Sequence, residues 1–355
     1  MKIAVLLSGG VDSSVALKLL HDQGHDLTAY YLKIWLEDEV SYLGQCPWEE
    51  DLKFASAVCS QLNVPLKVVN MQKEYWDKIV SYTISEVKSG RTPSPDIFCN
   101  KQIKFGAFFD VVGNDFDKIA TGHYARIEKQ ENKFLLKKAK DSFKDQTYFL
   151  SHLNQEQLAK LIFPIGDLKK EEVRKIAIEN NLANANRKDS QGICFLGKIK
   201  FSDFIKNYLG EKKGDLIEFE TGKVLGSHEG FWYYTIGQRK GIGLSGGPWF
   251  VVAKDTEKNI IYISSKYYSQ EKSRKEFIVL NFNWISGETP DSVLKEKENL
   301  QVKIRHGEYL YNCKLSFIEA NKAKVVLDKD DQGIASGQFA VFYDDEICLG
   351  CGKIE

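Results

Sequence analysis

Ser8-Gly9-Gly10-Val11-Asp12-Ser13-Ser14 stands directly after the apolar run Ile3 to Leu7 and opens an amphipathic stretch that Gly24 closes. Glycines between a strand and a helix let backbone N–H groups turn toward an anion, and the helix N-terminus adds the positive end of its dipole. That pattern is a phosphate site. It has no lysine, so it is neither the G-x-x-x-x-G-K-[ST] nucleotide loop nor the dinucleotide G-x-G-x-x-G. A plain glycine turn with Asp12 or Ser13 capping the helix is the alternative. Two cysteines give the second chemical signal. Cys99, in Thr92-Pro93-Ser94-Pro95-Asp96-Ile97-Phe98-Cys99-Asn100, is expected in the first turn of a helix with Lys101 and Lys104 nearby, a setting that favours a thiolate. Cys194 lies in the loop-rich Asp189-Ser190-Gln191-Gly192-Ile193-Cys194-Phe195. A lone buried cysteine is usually inert, and the polar flanks beside a phosphate loop set these two apart from that default.

Holding such groups together takes a frame of alternating strands and helices. Lys2 to Leu7 reads as a strand, Asp12 to Gln23 as a helix and Leu27 to Ile34 as a second strand. Leu52, Ala55, Cys59 and Leu62 mark the next helix, and Pro65 to Asn70 a third strand. Helices over Tyr75 to Ser89 and Ile97 to Val112, the strand Asp117 to Ala120 and a helix from Lys170 to Asn181 complete the pattern. This predicts an α/β, doubly wound parallel-sheet domain. From Gly214 onward, glycine-rich turns between short alternating runs predict antiparallel β units, with a break near Lys275. The expected division is 1–200, a catalytic domain; 201–275, a small central β-rich domain; and 276–355, a C-terminal β domain.

A chain of 355 residues exceeds what one core supports, and 43% hydrophobic with 28% charged residues excludes a disordered chain. No run reaches the roughly 18 apolar residues of a membrane span, and Ser8 to Asp12 breaks the only apolar start, so neither membrane nor signal peptide is expected. Seven cysteines, an odd number, suit reduced thiols in a cytoplasm. Lys and Arg (49) balance Asp and Glu (49), yet residues 126–144 carry seven bases against three acids, which is able to meet phosphates. A solvated face is the plainer reading of such a run. Cys348-x-x-Cys351 lacks the second pair of ligands that structural zinc requires.

The Ser8 to Ser13 segment resembles the pyrophosphatase-loop family, adenine-nucleotide alpha-hydrolase-like proteins that split ATP between the α and β phosphates to adenylate a substrate. Asp12 would then act through Mg²⁺, or simply cap the helix. Further blocks narrow the resemblance: Cys46, Asp51, Gly90-Arg91-Thr92-Pro93, Thr121-Gly122-His123-Tyr124, Asp145-Gln146 before Tyr148-Phe149, Tyr234-Thr235-Ile236-Gly237-Gln238-Arg239-Lys240-Gly241, and Ser336-Gly337-Gln338. With them the chain resembles, over almost its whole length, the tRNA-specific 2-thiouridylases, which replace the C2 oxygen of the wobble uridine by sulfur.

That resemblance implies ATP and Mg²⁺ as cofactors, a C-terminal β-barrel-like domain that contacts tRNA, tRNAs for Lys, Glu and Gln as acceptors, and a persulfide sulfur-carrier protein as partner. It implies that Cys194 carries the persulfide, that Cys99 is the nucleophile, and that the two form a transient disulfide. Leu6, Leu7, Ser8, Gly9, Gly10, Val11, Asp12, Ser13, Leu32 and Gly122 match ATP-binding positions. Ser94, Pro95 and Asp96 match contacts to the target base, Asp96 also handling a proton or capping its helix. His123, Lys144, Asp145, Gln146, Arg305, His306 and Gln338 match tRNA contacts. The chain departs from the usual pattern at Ser94 for Asn, Leu32 for Met, His306 for Tyr and Gln191 for Ser or Thr. Two other classes share parts of this pattern: an amide-forming ligase of the same loop family, which would need an ammonia source, and a non-catalytic tRNA-binding protein.

Overall fold

The computed structural model describes residues 1–34, 48–112, 115–189, 200–266, 274–290, 293, 300–331 and 333–355. Strand β1 (Lys2–Leu6) is apolar at four successive positions because it is covered on both faces. Ile3 and Val5 face the helices α1 (Val11–Asp22) and α2 (Trp48–Leu62), meeting Leu17, Leu20, Ala55 and Val58, while Ala4 and Leu6 face Tyr30, Met71, Phe105 and Phe108. One strand thus serves two cores, as a doubly wound fold requires. It pairs in parallel with β2 (Asp26–Lys33), which pairs with β3 (Leu66–Asn70), and on its other side with β4 (Lys118–Ala120). Helices α3 (residues 72–88) and α4 (residues 95–112) connect β3 to β4.

After β4 the chain makes a hairpin, β5 (Arg126–Gln130) and β6 (Lys133–Lys137), that the sequence reading treated only as a basic stretch. It then returns to the parallel sheet as β7 (Leu161–Ile162), after the short helices α5 (Thr147–Leu150) and α6 (Gln155–Lys160), and continues into α7 (Lys170–Glu179). Helix α8 (Phe201–Leu209) leads to a four-stranded sheet of β8 (Gly214–Glu218), β9 (Val224–His228), β10 (Phe250–Asp255) and β11 (Ile260–Ser264) around Leu216, Val251, Ile261 and Ile263.

The remaining strands, β12 (Arg274–Trp284), β13 (Leu300–Lys303), β14 (Tyr311–Glu319), β15 (Lys322–Asp331), β16 (Phe339–Asp344) and β17 (Ile347–Ile354), are antiparallel. Pairing of β12 with both β15 and β17 closes them into a six-stranded barrel. The α/β, doubly wound first unit, the small β sheet and the barrel are the architecture the sequence predicts.

Four junctions fix the barrel on the first unit. Strand β6 anneals to β17, with Lys137 opposite Ile347 and Leu136 opposite Cys348. Buried Glu86 of α3 accepts two bonds from Arg91 and an ion pair at 2.7 Å from Lys353 of β17. Buried Asp145 meets Lys303 of β13 at 3.2 Å. The segment between α3 and α4 also gives its Thr92 N–H to Ser336 O at 2.8 Å.

Candidate active site

Strand β1 ends at Leu6 and α1 starts at Val11, so four residues make the turn between them. Gly10 occupies the cap position in extended conformation with no side-chain bond, which removes the reading of Asp12 or Ser13 as the cap. The first N–H groups of α1 have no carbonyl one turn earlier to bind and therefore face outward as anion donors. Gly9 has φ +76°, where a side chain is strained, and its carbonyl is held by Asn184 Nδ2 at 2.8 Å and Arg187 at 3.0 Å. Ser8 and Ser13 are tied across the turn, Ser13 Oγ accepting from Ser8 N at 3.2 Å and donating to Gly10 O at 3.1 Å. Gly122, just past β4, lies so close that a Cβ there would sit 2.6 Å from Ser13 N and 2.7 Å from Asp12 C. Gly122→Val is therefore expected to push the loop off its helix and lower ATP affinity at least tenfold, about 1.4 kcal/mol, in a nucleotide-binding titration.

Asp12 sits at the second position of α1 and its Oδ1 accepts from Tyr124 OH at 2.9 Å and from Lys170 Nζ at 2.6 Å. The same ammonium reaches Asp189 at 2.8 Å, where Lys144 and Arg174 converge at 2.9 and 2.5 Å. Burial works against ionisation of Asp189, yet its bonds to Lys170 and Lys144 hold the carboxyl well below the usual carboxylate range. Burial and the neighbouring Asp12 carboxylate push the Tyr124 phenol up, so it stays a donor. Arg187, besides holding Gly9, pairs with Asp51. Lys170, Arg174, Asn184 and Arg187 were not legible as site residues, because isolated basic and amide side chains on a helix and its following turn carry no spacing signal.

The phosphate loop shares its space with a thiol. Leu6, Leu7, Ser8, Gly10, Val11, Asp12, Ser13, Leu32, Gly122 and Cys99 all line one cavity of about 440 Å³, together with Lys104 and Gln146. Helix α4 begins at Pro95 after Ser94, two residues earlier than expected, so Cys99 lies one turn in and not in the first turn. The helix-dipole support expected for its thiolate falls off over that distance. Cys99 is buried and stands where α winding gives way to wider π winding, over Cys99–Ala107, a feature frequent at functional sites. Lys101 turns to His152 Nδ1 at 2.7 Å, whereas Lys104, together with Lys144 and Lys188, lines the cavity that Cys99 shares. Asp96 is a first-turn carboxylate, not the cap, since Ser94 occupies that place. Pro95 is buried at the first helical position, and Ser94 N donates to Tyr82 OH at 3.3 Å. Cys194 lies outside the described residues, and with it the expected Cys99 and Cys194 pairing.

The residues expected to touch tRNA divide into two groups. His306 is exposed, its ring 4.5 Å from that of Phe149, and Arg305 beside it is bound to Asp331 by two bonds at 2.8 and 2.7 Å. Gln338 precedes Phe339, whose ring meets Phe98 of α4, so the barrel brings these three to the end of α4 that carries Asp96. Lys144, half-exposed, extends to Asp189. Asp145 departs from the expectation. Its carboxylate is buried, accepts from Ala139 N and Thr147 Oγ1, and faces Lys303, so the side chain braces the fold. His123 also points inward, bonded to Thr121 Oγ1 at 2.7 Å and flanked by Phe105 and Phe163. Burial pushes its pKa well down, so it is a neutral wall of the cavity. Gln146 accepts from Tyr124 N at 2.9 Å and lines the same wall. Most of the basic stretch is already paired: Arg126 with Glu346, Lys133 with Glu288, Lys137 with Glu128, and Lys140 with Glu172.

Among known proteins, residues 1–198 match the family described as tRNA methyl transferase HUP domain, 202–265 the tRNA methyl transferase PRC-barrel domain, and 274–354 the aminomethyltransferase beta-barrel domain. Over 356 residues the chain is 48% identical to tRNA-specific 2-thiouridylase MnmA 1 of Bacteroides thetaiotaomicron, spanning 100% of this chain and 99% of that one. Identity to the tRNA-specific 2-thiouridylase MnmA of Parabacteroides distasonis is also 48%, with the same coverage. The protein of that name from Porphyromonas gingivalis is 46% identical over 359 residues, spanning 100% of this chain and 99% of its own.

Proposed function

Because the chain belongs to the tRNA-specific 2-thiouridylase family, we propose that the cavity between α1 and α4 is where ATP activates the wobble uridine of a tRNA and sulfur replaces its C2 oxygen. The activity is that of a tRNA-uridine 2-sulfurtransferase. One observation carries the assignment of residues: the phosphate loop and the Cys99 thiol line the same 440 Å³ space. An adenylating loop without a thiol would suit an amide ligase, and a thiol without the loop would have nothing activated to attack.

The C2 carbonyl of uridine is urea-like and expels oxygen poorly. Its oxygen attacks the α phosphorus of ATP, the bond to the β phosphate breaks, and pyrophosphate leaves into the turn of Ser8 to Ser13, where outward N–H groups and the dipole of α1 stabilise it. AMP is then the leaving group at C2. Cys194 carries a persulfide delivered by a sulfur-carrier protein, and Cys99 attacks the Cys194 sulfur, so that the outer sulfur passes to C2 as AMP departs. A Cys99–Cys194 disulfide remains and two electrons from a thiol reductant reopen it. Asp96, at the barrel end of α4, is placed to meet the base.

Mg²⁺ suits this site as an ion held chiefly by phosphate oxygens. Asp12 offers it a single carboxylate, already oriented by Tyr124 and Lys170, and among the described residues no cluster of three metal ligands exists. When bound with ATP it would neutralise the departing pyrophosphate. In this reading residues 1–200 perform the chemistry, 276–355 hold the tRNA, 201–275 join the two, and the setting is the cytoplasm. Among the described residues no helix is long and apolar enough to cross a membrane.

In a strain deleted for the gene, tRNA nucleoside mass spectrometry is expected to show 2-thiouridine lost from the Lys, Glu and Gln acceptors. The wild-type gene restores it and the Asp12→Ala gene restores less than about a tenth, since losing one transition-state contact near phosphate costs at least a factor of ten. Full 2-thiouridine in the deleted strain would sink the function, and full rescue by Asp12→Ala would remove Asp12 from the mechanism.

A further inference from the structure

The turn between β6 and α5 commits its polar side chains inward or sideways. Asp145 goes to Lys303, Gln146 to Tyr124, and Lys144 to Asp189. Phe143 does the opposite, with 74% of its surface exposed. The turn beneath it is rigid. Asp141 Oδ1 accepts from Phe143 N at 3.1 Å and from Lys144 N at 3.2 Å, while Oδ2 accepts from Lys170 N at 2.8 Å at the start of α7. Burial opposes these bonds' effect on the carboxyl, but together they hold it below its ordinary range.

A phenyl ring presented on a braced turn next to a cavity wall formed by Lys144 is placed to receive something. A protein partner wants a contiguous apolar patch, and the chain neighbours here, Ser142 and Lys144, are polar. One flat, exposed ring whose chain neighbour Lys144 lines the nucleotide cavity offers an unpaired nucleotide what a stacking site requires, a free face for its base. Resting on the tRNA substrate proposed above, we propose that Phe143 is the stacking platform for an unpaired tRNA base at the mouth of the nucleotide cavity. It takes over the recognition that the sequence had assigned to buried Asp145.

The test is steady-state thiolation of an unmodified tRNA transcript, with inorganic sulfide as sulfur source so that no carrier protein takes part. Phe143→Ala is expected to raise KM for tRNA about fivefold or more, the least that a lost base–aromatic stack costs, with KM for ATP and the melting temperature unchanged. Phe143→Trp should restore the wild-type KM and Phe143→Leu should not. An unchanged KM in Phe143→Ala overturns the proposal, and so does rescue by leucine, which would make the ring mere apolar cover. A defect that appears only when persulfide is supplied by a carrier protein would assign Phe143 to protein docking, again overturning it. If the wild-type enzyme thiolates no tRNA either with sulfide or with a persulfide-loaded carrier protein, it is the proposed function that fails, and the Phe143 variants are not the cause.

Discussion

Cys194→Ser is expected to form AMP and pyrophosphate on tRNA while making no 2-thiouridine. The reason is the division of roles proposed for the cavity: adenylation is assigned to the turn of Ser8 to Ser13 and the oxygen of the base, and neither needs a sulfur atom. Without the thiol that accepts persulfide no covalent route for sulfur remains, so thiolation should fall at least about a thousandfold, about 4 kcal/mol of barrier. Cys99→Ser should differ in kind. It is expected still to take labelled persulfide sulfur on Cys194 but not to complete the transfer, because the buried thiol proposed to attack Cys194 is gone. Peptide mass spectrometry after labelling separates the two variants. Labelled sulfur found on Cys99 in the Cys194→Ser protein would exchange their roles.

The second large effect is on stability. Lys303→Met leaves the Asp145 carboxylate buried with its Thr147 and Ala139 bonds but without its ion-pair partner. Removing one partner of a buried pair typically costs about 3 to 5 kcal/mol, a large part of the roughly 5 to 15 kcal/mol that holds a domain folded. Urea denaturation should show the midpoint falling accordingly. Replacing both charges by apolar groups, Asp145→Leu with Lys303→Met, should recover most of the loss, because neither charge is then stranded. A midpoint shift in Lys303→Met no larger than that of exposed Lys175→Met would mean that water reaches the pair and that the junction is not sealed there.

Much of this frame was legible because local rules and tertiary packing agree in it. The apolar run of β1, the Gly-Gly turn and the amphipathic α1 each point the same way, and one cavity gathers Leu6, Leu7, Ser8, Gly10 to Ser13, Leu32 and Gly122 with Cys99. What escaped were features set by partners distant in sequence. The β5–β6 hairpin looks like solvated charge because its strands put Lys and Glu outward and pair with a strand near the chain's other end. Asp145 looks like a ligand contact until Lys303 is brought beneath it. The start of α4 was misplaced by two residues because Pro95 suits both a turn and the first position of a helix.

The annealing of β6 to β17 joins residues about two hundred positions apart, and that has a consequence for how the protein is made. During synthesis the first unit emerges before the barrel, and its hairpin must wait, one strand edge bare, until β17 has left the ribosome. Such late, long-range strand pairing is slow, and a bare edge invites pairing with another nascent chain. The bases Arg126, Lys133 and Lys137 of β5 and β6, which meet Glu346 and Glu288 once the barrel docks, lack those partners before it does, and their mutual repulsion keeps waiting edges apart.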